Sequence, residues 1–294
     1  MIDASAWPAG ATVRPNERLA RHVACRCGGP CDAFVVVDER EALPAVLAAI
    51  KEHRAVTRVL GAGTRTAFRS AGVTGVVLRL GRGFSNIVPE GSLWEVGAAV
   101  PVPALMSATI RAGATGVEGL GGVPGSMGAA VALDEGPWTE RVVEVAYATA
   151  SRLKRGTLDE VRGRVAAGKP CVITSVTLRL DDAEEGTVRQ RVDDALAAAP
   201  SPWFEGSQVA GLVRRAGLAG VRVRAVSVPA AAPAVLVAAA PGQADDLELL
   251  TRSVIDRVRL RTGITMKARV RWEGRRQKRP DGRRPGRAGI RRRG

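Results

Sequence analysis

Apolar and polar positions follow two rhythms along this chain. Residues 32–38, DAFVVVD, are a continuous apolar run bounded by acids, which predicts a buried strand. Residues 39–53 place Leu43, Val46, Leu47 and Ile50 at helical spacing behind an acidic start, which predicts an amphipathic helix. Residues 58–60 read as a second buried strand, completing a βαβ unit that ends on the turn Gly61-Ala62-Gly63-Thr64-Arg65-Thr66. Sheets of this type hold their ligands at that end of a strand. Residues 76–80 predict the next strand.

From residue 93 the rhythm shifts. Residues 94–98 predict a strand, and residues 103–113 a helix with Pro103 in its first turn. The stretch 117–131, VEGLGGVPGSMGAAV, follows. Residues 142–148 and 171–180 alternate with period two, as half-buried strands do. The charged, alanine-rich residues 183–199 predict a helical connection. Beyond it, helices are expected over 209–216 and 247–261, with strands at 221–226, 234–238 and 267–272. Asp245, Asp246 and Glu248 near one end of the second helix and Arg257, Arg259 and Arg261 near the other match its dipole. Residues 1–15 lack an apolar period and read as a loose arm, and residues 275–294 have too little apolar content to bury a core and read as a disordered tail.

The glycines carry the candidate chemistry. Gly121, Gly122, Pro124, Gly125, Ser126, Gly128 and Ala129 can bring backbone N–H groups close to an anion, because a residue without Cβ does not hold a phosphate away. A tight packing turn explains the same residues equally well. The Gly61 turn, as a second phosphate-sized bend, favours a dinucleotide. It is not a GxGxxG fingerprint, since Thr66 stands at the third glycine.

Composition adds limits. A chain of 294 residues with 46% apolar content can bury one large core or two smaller ones. No apolar run is long enough to span a membrane, and the first residues lack the pattern of a secretory leader, so a cytoplasmic monomer without membrane insertion is expected. The net charge of +15 is concentrated in the tail, where Arg275, Arg276, Lys278, Arg279, Arg283, Arg284, Arg287, Arg291, Arg292 and Arg293 face only Asp281. Such a tail can attach weakly to nucleic acid or another polyanion, or be a solvated extension of an arginine-rich protein. Cys25, Cys27 and Cys31, with His22 nearby, lack a CxxC pair and a second ligand pair, so free thiols are expected and no metal.

The segments LARH with RCGGPCD, then VLGAGTRTAFRSAGVTGVVLRL, then EVGAAVPVPALMSATIRAGATGVEGLGGVPGSMGAAV resemble the UDP-N-acetylenolpyruvoylglucosamine reductase family, over residues 19–274. The resemblance implies a two-lobed α/β FAD-binding domain of the vanillyl-alcohol-oxidase (PCMH) type at 16–182. A connection at 183–199 and a smaller substrate domain at 200–274 would follow. It also implies FAD, NADPH as hydride donor, a UDP-sugar substrate and a step in peptidoglycan precursor synthesis.

Carried onto this chain, the resemblance assigns Gly61, Ala62, Gly63, Thr64 and Arg65 to one side of the FAD diphosphate. Gly121, Gly122, Pro124, Gly125, Ser126, Gly128 and Ala129 match the second phosphate turn, and Arg26, Gly28 and Gly29 the first-lobe turn. Thr64-Arg65 replaces the family's Ser-Asn, and Ala129 a common glycine. The family's chemistry needs a proton donor and a group that stabilises developing negative charge. Ser201 stands displaced by one position from the family's acid serine, Arg269 replaces its glutamate, and either Arg162 or Arg164 stands near its arginine without the preceding tyrosine. Pro229–Pro233 is apolar where the family is polar. A diverged FAD-binding paralogue with weak, different or no activity is the alternative.

Overall fold

The structure is a computed structural model that describes residues 7–133, 136–198, 201, 203–205, 208–239 and 243–275. The chain divides into two compact units, Met1–Glu17 with Cys31–Thr64 and Thr74–Pro200, and Arg18–Pro30 with Arg65–Val73 and Ser201–Gly294.

The first unit holds two sheets. One has four strands in the order Ala11–Pro15, Cys31–Val37, Val73–Leu80, Thr57–Val59. Helix Leu43–Glu52 covers it because Leu43, Val46, Leu47 and Ile50 share a face, and all four are buried with Val35, Val37, Val76, Leu78 and Phe84. Each such side chain contributes about 1.5–3 kcal/mol on leaving water. The other sheet is antiparallel, with five strands in the order Leu153–Gly156, Val142–Ala148, Val172–Arg179, Leu93–Gly97, Ile87–Glu90. Val96, Val145, Tyr147, Val176 and Leu178 on these strands join Leu105, Met127, Val131, Val188 and Val192 on helices Val102–Ala112, Met127–Leu133 and Glu185–Ala197 in one core.

The second unit closes over a long range. Strand Thr66–Phe68 runs parallel to Arg271–Glu273, with Ala67 opposite Trp272. Next to that pair, Arg69 Nε lies 3.2 Å from Glu248 Oε2 and Arg69 Nη1 donates to the Gly274 carbonyl at 2.9 Å. Glu248 stands on helix Ala244–Thr262 and also holds Arg252 at 2.9 Å. Strand Phe204–Glu205 pairs with Lys267–Ala268, and a three-stranded sheet joins Arg222–Val223, Val226–Ser227 and Val237–Ala238.

Four expectations change. Residues 11–15 are an edge strand with Val13 opposite Val35, held by backbone pairing that an apolar period does not report. Val59 is 51% exposed, because Thr57–Val59 is also an edge. The strand expected over 267–272 is two strands with different partners. The strand expected over 221–226 is a hairpin that turns at Arg224, whose φ is 54°. The basic tail beyond Arg275 lies outside the described residues. Among the described residues, no helix is long and apolar enough to cross a membrane.

Candidate functional site

The two glycine bends of the first unit meet. Val59 pairs with Leu78 in parallel register, and Leu60 donates its amide to the Leu78 carbonyl at 2.8 Å. The chain then leaves the sheet at Gly61. A Cβ there would stand 2.5 Å from Ser126 Oγ, closer than real Cβ contacts allow, so any larger residue obliges the serine hydroxyl to turn away. Thr64 Oγ1 donates to the Pro124 carbonyl at 3.1 Å, a second tie between the bends.

The second bend is fixed at both ends. Downstream, Val102 donates to the Gly125 carbonyl at 3.0 Å, Met127 to Val100 at 2.9 Å and Gly128 to Ala98 at 2.9 Å. Gly128 also packs so tightly on Ala98 that a Cβ would lie 2.9 Å from the alanine methyl. Upstream, Thr115 Oγ1 donates to Glu118 Oε1 and the Gly116 amide donates to Glu118 Oε2 at 2.8 Å. Arg191 Nη1 donates to Thr115 Oγ1 at 2.8 Å. Burial alone raises the pKa of Glu118, but the bonds from Thr115 and Gly116 and the Arg191 charge outweigh it and hold the carboxyl below its usual range.

What remains between the bends suits an anion. Among the described residues, the amides of Gly61, Ala62, Gly63, Thr64, Gly125 and Ser126 donate to no backbone carbonyl. Gly125 has φ +146°, and the space in front of it meets nothing closer than Thr64 Oγ1 at 3.7 Å and Ala129 Cβ at 3.9 Å. The Ala129 methyl walls this space without filling it. A space walled by small side chains, between two bends whose N–H groups lack a backbone acceptor, is compatible with a diphosphate. These residues are compatible with the FAD that the resemblance implies, whose diphosphate Gly61–Thr64 and Gly125–Ser126 would hold.

Other expected site residues have their own surroundings. Gly121 is a packing glycine, since a Cβ would come within 2.8 Å of Ala195 Cβ on helix Glu185–Ala197. Gly122 has φ 76° in the same turn. Arg26, Gly28, Gly29 and Arg65 belong to the second unit. A Cβ on Gly29 would overlap the Ser70 carbonyl, and one on Gly28 would lie 2.8 Å from Phe68 Cβ, so close packing explains both. Arg26 is exposed with φ 54°, and the Arg65 carbonyl accepts the Arg271 amide at 2.8 Å.

The expected catalytic residues carry structural bonds. Arg162 Nε donates to the Val131 carbonyl at 2.8 Å, in the last turn of helix Met127–Leu133. The Arg164 guanidinium lies 5.5 Å from the centre of the Tyr147 ring, and Tyr147 donates its hydroxyl to Glu160 Oε1 at 2.8 Å. Ser201 is buried, donates to the Ala234 carbonyl at 2.6 Å and accepts the amides of Trp203 and Phe204 at 3.1 Å. Its proton and lone pairs are all engaged in a turn. The Arg269 amide donates to the Trp203 carbonyl at 2.9 Å. Sequence reasoning missed Glu118 and Arg191, whose link depends on a helix packed far along the chain.

Comparisons with known proteins give the family of the chain. The FAD binding domain family matches residues 31–153, and the C-terminal domain of UDP-N-acetylenolpyruvoylglucosamine reductase matches residues 186–272. A UDP-N-acetylenolpyruvoylglucosamine reductase of Anaeromyxobacter dehalogenans is 31% identical over 281 residues, 87% of this chain and 84% of that protein. UDP-N-acetylenolpyruvoylglucosamine reductase 2 of Symbiobacterium thermophilum is 29% identical over 284 residues, 89% of this chain and 92% of that protein. In structure, the UDP-N-acetylenolpyruvylglucosamine reductase of Thermus caldophilus superposes with a TM-score of 0.65 at 22% identity, covering 89% of this chain and 98% of its own. The fold is a PCMH-type FAD-binding domain followed by a C-terminal domain of mixed helix and sheet. The chain belongs to the UDP-N-acetylenolpyruvoylglucosamine reductase family.

Proposed function

We propose that this protein is an FAD-dependent reductase that takes hydride from NADPH and delivers it to UDP-N-acetylglucosamine enolpyruvate, in peptidoglycan precursor synthesis. The observation that carries the reading is the meeting of Gly61 with Ser126 and of Thr64 with Pro124 in a domain of the FAD-binding type. FAD, when bound, supplies a two-electron carrier between the nicotinamide and the enol ether. This chain's part is to hold the diphosphate on backbone amides while the Glu118–Arg191 clamp keeps the second bend in place.

Two observations favour a second reading, a diverged FAD-binding paralogue of weak or different activity. Ser201 is committed to the Ala234 carbonyl, and the position of the family's glutamate is occupied by Arg269. A general acid or a charge-stabilising group each contributes roughly 10²–10⁴-fold to such a reaction. Protein reconstituted with FAD and mixed with NADPH separates the readings. Oxidation of NADPH that accelerates on adding the enolpyruvyl nucleotide supports the reductase. Flavin binding with NADPH oxidation indifferent to that substrate supports the paralogue.

A further inference from the structure

A pair of cysteines outside the cradle has its own chemistry. Cys25 Sγ and Cys27 Sγ lie 3.1 Å apart in the second unit, on either side of Arg26, whose left-handed φ of 54° curls the chain so that both sulfurs face the same way. A disulfide needs sulfurs about 2.05 Å apart, so a shift of about 1 Å completes the bond. Cys27 is fully buried, whereas Cys25 keeps 3% exposure and is flanked by the exposed Ala24 and Arg26 in a segment without regular structure. The hydrogen bond between the thiols lowers the pKa of Cys25 and raises that of Cys27, so one thiolate forms first and the second sulfur stays protonated beside it. The other two cysteines lack such a neighbour. Cys31 donates to the Glu17 carbonyl at 3.6 Å and is pushed up to about 11, first by burial, and Cys171 is raised by burial near Arg164.

We propose that Cys25 and Cys27 form a dithiol that hydroperoxides oxidise to an intrachain disulfide. The Cys25 thiolate attacks a peroxide oxygen and the O–O bond breaks, giving Cys25 sulfenic acid and, after protonation, water from hydrogen peroxide. The Cys27 sulfur then attacks the Cys25 sulfur and the S–O bond breaks. Water leaves with the Cys27 proton, and two electrons have passed from the thiol pair to the peroxide. The disulfide holds Arg26 in its left-handed turn and removes the weak donation from Cys25 Sγ to the Thr66 carbonyl, which spans 3.8 Å.

Peptide mapping of the full chain after hydrogen peroxide treatment tests this independently of flavin or activity. Trypsin cuts after Arg21, Arg26 and Arg40, so the disulfide joins peptides 22–26 and 27–40 until reductant is added. The expected result is that joined pair, a loss of two of the four titratable thiols, and the same pair in Cys31→Ser and Cys171→Ser variants. Oxidation confined to Cys171, joining that disappears in Cys31→Ser, or four thiols retained after treatment would each overturn the proposal. The wild-type result stands even where Cys25→Ser or Cys27→Ser fails to fold.

Discussion

Gly61 and Ser126 approach so closely that a β-carbon on the glycine would come to 2.5 Å from the serine hydroxyl oxygen. This contact makes one cradle of two bends that are far apart in the chain, and the amides on both sides of it form the proposed diphosphate site.

Gly61→Ala forces that contact apart. Admitting the methyl obliges the Ser126 hydroxyl to leave its place in the second bend, beside the proposed diphosphate site. FAD titration followed by flavin fluorescence should therefore show binding weakened about tenfold or more. Adding Ser126→Gly removes the clashing oxygen and should recover part of that loss.

Ser201→Ala separates a turn residue from an acid. Removing the hydroxyl leaves the buried amides of Trp203 and Phe204 without their acceptor, at a cost of about 1–3 kcal/mol. A lower denaturation midpoint with unchanged kcat is expected in protein that turns over substrate. A fall in kcat of roughly 10²–10⁴-fold at unchanged midpoint would make Ser201 the proton donor after all.

Glu118→Gln tests the clamp through pH. A carboxyl whose pKa is held down in the folded state stabilises the protein above its unfolded pKa, about 4.3, and that contribution disappears as pH falls through the lower folded value. The variant should be less stable than wild type at pH 7 by about 1–2 kcal/mol. In urea titrations the gap should narrow steadily below about pH 4.

Truncation after Arg275 tests the basic extension. If it attaches to polyanions, the full chain should be retained on DNA at ~50 mM salt and released by ~200 mM, while the truncated chain is not retained at either. Flavin content should be the same in both. Equal retention of both chains would make the extension a solvated terminus only.

Much of the two bends was legible in the sequence because their signals are local. Glycine density marks both bends, and the apolar run before Gly61 sets the first at the end of a strand. Helices Leu43–Glu52 and Ala244–Thr262 were legible for the same reason, the first through spacing alone, since the acids expected to open it precede the helix, and the second also through terminal charge. The partition into units was not, because Arg18–Pro30 and Arg65–Val73 group with residues from Ser201 onward through the parallel pairing of Ala67 with Trp272 and the Arg69–Glu248 ion pair. Pairings between residues so distant leave no periodic trace. The roles of Arg162, Arg164 and Ser201 were hidden likewise, since each depends on which carbonyl or ring the fold brings to it.

Flavin content after incubation with FAD and removal of the excess tests the account most directly. A diphosphate cradle predicts about one flavin per chain, seen as the oxidised flavin absorption band, and its marked loss in Gly61→Ala. Folded wild-type protein that stays colourless would contradict it.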